Sequence, residues 1–144
     1  MEAGGSDENE ALLLEGIDAY NRGDLSFAIE RASEDIEVYA HRDLINTGTY
    51  RGRAEFERWM HNWQEAWSEI TMDVRSVEAL GEGYLLVDVF QEAVGASSGV
   101  PVEMDIFQLI EVRDGEITRF HLYPDRDSAM EAVERMRDQQ PAAD

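Results

Sequence analysis

The stretch VEMDIFQLIEVRDGEITRFHLY, residues 102–123, contains two runs in which apolar and polar residues alternate, on either side of an Asp114-Gly115 pair. Alternation with a period of two predicts β-strands, and Asp-Gly is typical of a tight two-residue hairpin. The stretch therefore predicts two antiparallel strands, residues 102–113 and 116–123.

Turn signals divide the preceding sequence into further strands. Residues 70–80 and 84–96 flank Gly81-Glu82-Gly83, and a glycine-bounded link, residues 95–99, leads to the hairpin. Residues 35–41 also alternate. Consecutive hairpin links predict a four-stranded antiparallel meander, with one more strand earlier in the chain.

Apolar residues at helical spacing predict four helices, over residues 8–22, 26–32, 53–67 and 128–136. The third places its large side chains, Phe56, Met60, Trp63 and Trp67, on one face. The preceding GTYRG, residues 48–52, is interpreted as a turn. Helices followed by a meander predict an α+β domain, residues 8–137, in which a curved antiparallel or mixed sheet wraps around the N-terminal helices. The polar, aperiodic ends, residues 1–7 and 138–144, are predicted to be disordered tails.

Composition excludes several kinds of function. The chain has 32 acidic residues against 12 basic ones and a formal net charge of −20, which repels phosphate backbones and argues against nucleic-acid binding. It has no cysteine, signal peptide or apolar run long enough to cross a membrane, so a cytoplasmic protein that does not bind membranes is predicted. Three scattered histidines and the lack of a glycine-rich phosphate loop predict neither a metal site nor a cofactor.

Alternation also divides each strand into two faces. The more apolar face is assigned to the concave side of the sheet, where a helix tryptophan closes a ligand pocket; the predicted ligand-binding residues are Trp63, Val89, Gln91, Met104, Ile106, Gln108, Phe120 and Leu122. The two carboxamides, Gln91 and Gln108, would bind the ligand's polar atoms or pair with backbone or water.

The opposite face carries too many large apolar residues for a bare surface. Phe90, Phe107, Leu109 and Tyr123 are therefore predicted to form a homodimer interface.

Five segments together resemble the SnoaL-like branch of the nuclear-transport-factor-two-like superfamily. They are Asn21-Arg22-Gly23-Asp24, Asp35-Ile36-Glu37-Val38, Gly48-Thr49-Tyr50-Arg51-Gly52, Arg113-Asp114-Gly115-Glu116-Ile117-Thr118-Arg119 and Tyr123-Pro124-Asp125-Arg126. The resemblance implies a cone-shaped, usually dimeric domain of the kind that hosts ketosteroid isomerases, limonene-epoxide hydrolases and polyketide cyclases. Because one fold serves many functions, individual positions must decide the activity.

The positions that match the catalytic residues of these enzymes lack their chemistry. Ala40, Gly16 and Gln108 stand where the isomerases would have a base, a tyrosine and an acid. Gln91, Val89 and Leu122 stand at the epoxide hydrolase positions, and Leu122 lies near the cyclase base. The remaining catalytic candidates are His41 and Asp43, which follow the first strand, where the resemblance implies the pocket mouth.

Three hypotheses follow. The leading one is binding of a small hydrophobic molecule with a ring or carbonyl, without an assigned activity. The second is an isomerase, cyclase or hydrolase acting on a steroid, polyketide or terpenoid through His41 and Asp43 or a glutamine-held water. The third is a structural dimerisation domain with a filled cone.

Overall fold

The computed structural model describes the backbone of residues 2–41, 44 and 47–139 and the side chains of residues 8–41, 44 and 47–136. Over these residues a six-stranded mixed sheet packs against four helices. In chain order the elements are α1 Glu2–Asn21, α2 Ser26–Arg31, β1 Ala32–Ala40, β2 Gly48–Arg51, α3 Arg53–Glu65, β3 Trp67–Gly81, β4 Tyr84–Gly95, β5 Pro101–Arg113, β6 Glu116–Tyr123 and α4 Arg126–Gln139.

The strand order in the sheet is β2-β1-β6-β5-β4-β3. Strands β3 to β6 form the predicted antiparallel meander, and β6 ends where the alternation ends. Strand β1 pairs with β6 in parallel, with Val38 opposite Phe120 and Ala40 opposite Leu122. This one parallel pairing joins the N-terminal part of the chain to the meander, so the predicted α+β fold is confirmed.

The predicted concave face is also correct. Buried residues of β1, β5 and β6 pack with α3, and buried residues of β4 and β5 pack with α1. Three helices therefore lie on the concave side of the sheet, and a space remains between them and strands β3, β5 and β6.

The C-terminal helix covers part of the opposite, convex face. Its Ala129, Ala132 and Val133 pack on residues of β4, β5 and β6, namely Tyr84, Leu86, Leu109 and Tyr123. The sheet is thus sandwiched between helices in this region, and apolar residues of its convex face belong to a second core.

Several elements differ from prediction in their presence or their boundaries. The segment interpreted as a turn, residues 48–52, contains β2, which pairs antiparallel with β1 as an edge strand. The first helix begins at Glu2 and not at residue 8, and α4 extends to Gln139. Residues 140–144 lie outside the described part of the chain, and the division into a domain with disordered tails stays a prediction.

The β3–β4 turn depends on two glycines with different surroundings. Gly81 and Gly83 both have positive φ, 91° and 86°. A Cβ at Gly81 would meet no atom within 4 Å, whereas a Cβ at Gly83 would lie 2.6 Å from the Val112 carbonyl oxygen. The turn at Gly83 therefore needs both the backbone conformation and the space that glycine gives.

We expect Gly81→Ala to lower the free energy of unfolding by about 1 kcal/mol, because the only cost is that of holding alanine in a left-handed backbone conformation. Gly83→Ala should cost at least about 1 kcal/mol more, because the β5 backbone would have to move as well. Chemical denaturation of both variants measures the difference. Equal losses would contradict the close approach of Gly83 to β5.

Candidate functional site

An apolar cavity lies between the concave face of the sheet and helices α1 to α3. Its volume is about 80 Å³. The residues that line it come from α1, α2, α3, β3, β5 and β6: Leu12, Leu13, Gly16, Ile17, Tyr20, Phe27, Ala28, Phe56, Trp59, Met60, Trp63, Met72, Ile106, Gln108, Ile110, Val112, Ile117, Phe120 and Leu122. We call this space the cavity.

Helix α3 supplies the aromatic roof because its buried face carries residues at a spacing of three and four. The rings of Trp59 and Trp63 stack with centroids 5.4 Å apart, and Trp59 meets Phe120 of β6 edge-on at 5.8 Å. Phe56 packs on the same Phe120 ring at 5.7 Å. Such ring pairs stabilise a fixed arrangement beyond simple burial, so the roof is held against the sheet.

Tyr20, Trp63 and Gln108 bring polar groups into the apolar lining. The Tyr20 hydroxyl and the Trp63 indole nitrogen are buried, and neither forms a hydrogen bond within the described part of the chain. The third is the Gln108 carboxamide, on a side chain that is 4% exposed. A buried polar group without a partner costs about 1–3 kcal/mol, so the Tyr20 hydroxyl and the Trp63 indole N–H would gain from a ligand's polar atom.

Burial raises the pKa of the Tyr20 hydroxyl well above its ordinary value. The hydroxyl therefore stays protonated at neutral pH and can donate a hydrogen bond. The Trp63 indole N–H is a donor only, and a carboxamide both donates and accepts. Together these residues suit a ligand with an acceptor oxygen.

Five of the eight predicted ligand-binding residues line the cavity: Trp63, Ile106, Gln108, Phe120 and Leu122. The other three, Val89, Gln91 and Met104, lie on the concave side but are not part of the lining. The Gln91 Nε2 donates to the Met104 sulfur at 3.7 Å, and its Oε1 is buried without a partner in the described residues. Gln91 is therefore a buried core amide, and the prediction that it meets the ligand is not supported.

Residues of α1 that the sequence analysis did not assign to the pocket also line it. Gly16 and Tyr20 lie one helical turn apart on the face that meets the cavity. The helical spacing of Leu12, Leu13, Ile17 and Tyr20 predicted an inward face, and this was the signal that could have placed Tyr20 in the site.

The first catalytic candidate, His41, does not line the cavity. Its ring lies edge-on to Tyr123 at 6.2 Å between centroids, and Tyr123 belongs to the core under α4 on the convex side. Because Ala40 faces inward, the next residue faces outward. Asp43 lies outside the described residues, so a catalytic role for His41 and Asp43 at the pocket mouth stays a prediction that the cavity lining does not support.

The predicted dimer residues divide into two groups. Leu109 and Tyr123 are buried beneath α4, at 0% and 3% exposure, so an intramolecular helix explains their apolar character. Phe107 is half-buried against the same core, and Phe90 is half-buried with the Arg75 guanidinium 4.4 Å above its ring. The homodimer stays a prediction. Leu109 and Tyr123 are buried under α4 and are not available to its interface.

A second hollow, of about 410 Å³, opens on the convex side beside α4. We call it the outer groove. Its lining is polar and consists of Glu37, Tyr39, Arg51, Arg119, His121, Tyr123, Ala132, Arg135 and Met136. The His121 Nδ1 lies 3.2 Å from the Tyr123 hydroxyl.

Burial, with Arg119 and Arg51 nearby, lowers the pKa of His121 to about 3. The imidazole is therefore neutral at pH 7. Its Nε2 is buried without a hydrogen-bond partner among the described residues, with a Glu37 oxygen 4.0 Å away.

Two further features are absent from the described residues. No helix there is both long and apolar enough to cross a membrane. No group of three or more His, Cys, Asp or Glu side chains there is placed to hold a metal ion.

The sequence profile of the SnoaL-like domain matches residues 14–120, well over half of the chain. The protein belongs to the SnoaL-like family. No curated protein matches the chain in sequence.

Solved structures confirm the cone fold of this SnoaL-like protein. An NTF2-like protein from Burkholderia xenovorans LB400 is 24% identical with a TM-score of 0.68, covering 88% of this chain and 96% of its own. TerC, co-crystallised with polyporic acid, is 17% identical with a TM-score of 0.71, covering 88% and 98%. A candidate SnoaL-like polyketide cyclase from Jannaschia sp. CCS1 is 14% identical with a TM-score of 0.72, covering 94% and 95%. At these identities the likeness concerns the fold.

The buried His121 predicts a pH dependence of stability. Its folded pKa of about 3 lies below the ordinary value of 6.5, so the unfolded chain binds the proton more readily between these pH values. Stability is lost as the pH falls through this window. We expect the difference in unfolding free energy between the wild-type protein and His121→Phe to shift in favour of the variant by up to roughly 1.4 kcal/mol per pH unit.

Urea denaturation at several pH values from neutral to acidic measures this difference. Comparison with the variant is needed because many carboxylates titrate over the same range. A difference that stays constant with pH would contradict the burial of an uncharged His121.

Proposed function

We propose that this SnoaL-like protein binds a small, largely apolar molecule with a carbonyl or similar acceptor oxygen in the cavity. The observation that carries the proposal is the set of polar groups in an apolar lining, the Tyr20 hydroxyl, the Trp63 indole N–H and the Gln108 carboxamide. A few placed polar groups in an otherwise apolar hollow are typical of small-molecule sites. The co-crystallisation of the related TerC with polyporic acid supports ligand binding by this fold.

The size of the cavity limits the ligand. About 80 Å³ is well below the roughly 300–1,000 Å³ of sites for drug-sized molecules. Two methionines, Met60 and Met72, line the cavity, and methionine side chains change rotamer more easily than branched or aromatic ones. We therefore propose a ligand with a single ring, admitted by movement of these two side chains.

The lining supports binding in preference to proton transfer. Among the described lining residues, Tyr20 is the one ionisable side chain, and its raised pKa keeps it protonated. Removing a proton from a substrate needs a base within hydrogen-bond reach. The enzyme hypothesis would thus need a group from outside the described lining, or a water held by Gln108.

The test compares two probes of nearly the same shape, acetophenone, which has a carbonyl, and ethylbenzene, which does not. We expect acetophenone to bind more tightly and Gln108→Leu to weaken it by about tenfold, the equivalent of one lost hydrogen bond. Ethylbenzene affinity should change little in this variant. Titration calorimetry, with tryptophan fluorescence as a second signal, measures both affinities.

Gln91→Leu is the matched control, because Gln91 is an equally buried amide on the neighbouring strand β4 outside the lining. It should leave acetophenone affinity unchanged. If Gln91→Leu and Gln108→Leu change acetophenone affinity equally, the ligand carbonyl does not bind Gln108. If neither probe binds, the filled-cone hypothesis replaces this proposal.

Tyr20→Phe removes a donor while preserving the ring. We expect it to weaken acetophenone by about threefold to tenfold and to leave the fold intact, because the hydroxyl gives up no hydrogen bond to a described residue. Thermal unfolding checks stability, and calorimetry checks affinity. An unchanged affinity would remove Tyr20 from the proposed site.

We also propose a homodimer and a cytoplasmic location. The half-buried rings of Phe90 and Phe107 support an apolar contact with a second copy. The lack of cysteine supports a reducing compartment.

A further inference from the structure

The outer groove lies on the other side of the sheet from the cavity and has a different chemistry. Strands β2, β1 and β6 form its floor and one wall, and Ala132, Arg135 and Met136 of α4 form the other. Its volume of about 410 Å³ falls in the range of small-molecule sites, whereas the cavity does not reach that range.

The outer groove gathers positive charge in an acidic protein. Three of the chain's 12 basic residues, Arg51, Arg119 and Arg135, line it, and its described lining contains one carboxylate, that of Glu37. With His121 uncharged, the lining carries a formal charge of about +2 in a chain of net charge −20. The excess of guanidinium over carboxylate is a local feature that the total charge conceals.

The arginines hold Glu37 loosely. Arg51 Nη2 and Arg119 Nε each lie 3.7 Å from a Glu37 oxygen, beyond the 2.7–2.9 Å of a charge-assisted hydrogen bond. Glu111, in contrast, is bound tightly by Arg113 at 2.6 Å. Arg119 Nε also lies 3.5 Å from a Glu111 oxygen, so none of these contacts of Arg51 and Arg119 has the length of a tight charge-assisted hydrogen bond. The remaining guanidinium donors can meet a second anion, and they match the planar geometry of a carboxylate.

Aromatic rings form the floor below these arginines. The Tyr39 ring lies 5.6 Å from both His121 and Tyr123, measured between centroids. His121 is 5% exposed, yet its Nε2 has no hydrogen-bond partner in the described part of the chain. A buried, unsatisfied imidazole nitrogen in the floor is a group that a ligand's polar atom could satisfy.

We propose that the outer groove is a second binding site, separate from the cavity, for a small organic anion in which a carboxylate is attached to a ring. The carboxylate binds between Arg135 and the Arg51 and Arg119 pair. The ring packs on Tyr39 and Met136. The strongly negative remainder of the protein favours a compact anion over a nucleic acid or an extended acidic chain.

The first test titrates benzoate into the full chain at low ionic strength, with benzyl alcohol as the neutral probe of similar shape and inorganic phosphate as the anion without a ring. Benzoate is expected to bind at least about tenfold more tightly than either, since it alone uses both the arginines and the aromatic floor. In amide NMR spectra, benzoate should shift the signals of Tyr39, His121 and Ala132 and leave the Trp63 indole signal in place.

Arg135→Gln is the diagnostic variant. Arg135 is exposed at the edge of α4, so its loss should not disturb folding, and benzoate affinity should fall by about tenfold. The matched control is Arg126→Gln on the same helix, whose guanidinium pairs with Glu78 at 2.7 Å outside the outer groove. Arg135→Lys should restore part of the affinity, because it restores the charge without the planar fork.

Several outcomes would overturn the proposal. One is the absence of saturable benzoate binding, and another is an equal loss of affinity in the Arg135 and Arg126 variants. If phosphate binds as tightly as benzoate, the aromatic floor contributes nothing to binding. The protein could instead form a dimer that buries Tyr39, His121 and Ala132. If that dimer dissociates in Arg135→Gln and benzoate has no effect on it, a second copy of the chain occupies the outer groove.

Discussion

The parallel pairing of β1 with β6 is the constraint on which the rest of the structure depends. It brings the first half of the chain, with its three helices, to the edge of a meander that would otherwise be an open four-stranded sheet. The register sets Val38 opposite Phe120 and Ala40 opposite Leu122. Through this register α3 lies over β6, and the Trp59, Phe56 and Phe120 rings meet. Without it neither the cavity nor the outer groove would have a complete wall.

The same pairing gives the two hollows opposite chemistry. Since adjacent residues of a strand face opposite sides, β6 sends Phe120 and Leu122 into the cavity and Arg119, His121 and Tyr123 to the outer groove. Strand β1 divides in the same way, with Val38 inward and Glu37 and Tyr39 outward. The sheet thus separates the cavity, which is apolar with a few hydrogen-bonding groups, from the outer groove, which is charged.

Membership of the SnoaL-like family fixes the scaffold and leaves the chemistry to the side chains. The described lining of the cavity has hydrogen-bond donors and acceptors, but Tyr20 is its one ionisable group. Groups of this kind can hold and orient a molecule, and they can stabilise a charge that forms on an oxygen. The fold alone therefore does not make this chain an enzyme, and its lining is better suited to recognition.

The sequence by itself determined the elements and the side to which most strand residues face. Alternation predicted β4, β5 and β6 almost to the residue, and the i, i+4, i+7 spacing placed Phe56, Met60 and Trp63 on the buried face of α3. The same alternation, continued one residue past Ala40, would also have turned His41 outward. These features depend on local periodicity, which a linear sequence displays directly.

Only the tertiary structure decided which faces meet and how much space remains between them. The edge strand β2 forms because β1 offers it an open side, α4 buries Leu109 and Tyr123, and Gln91 lies beside Met104 while Gln108 lines the cavity. The three arginines of the outer groove are far apart in the chain and come together through β2, β6 and α4. Such contacts join residues distant in sequence, and their geometry depends on packing that no local pattern records.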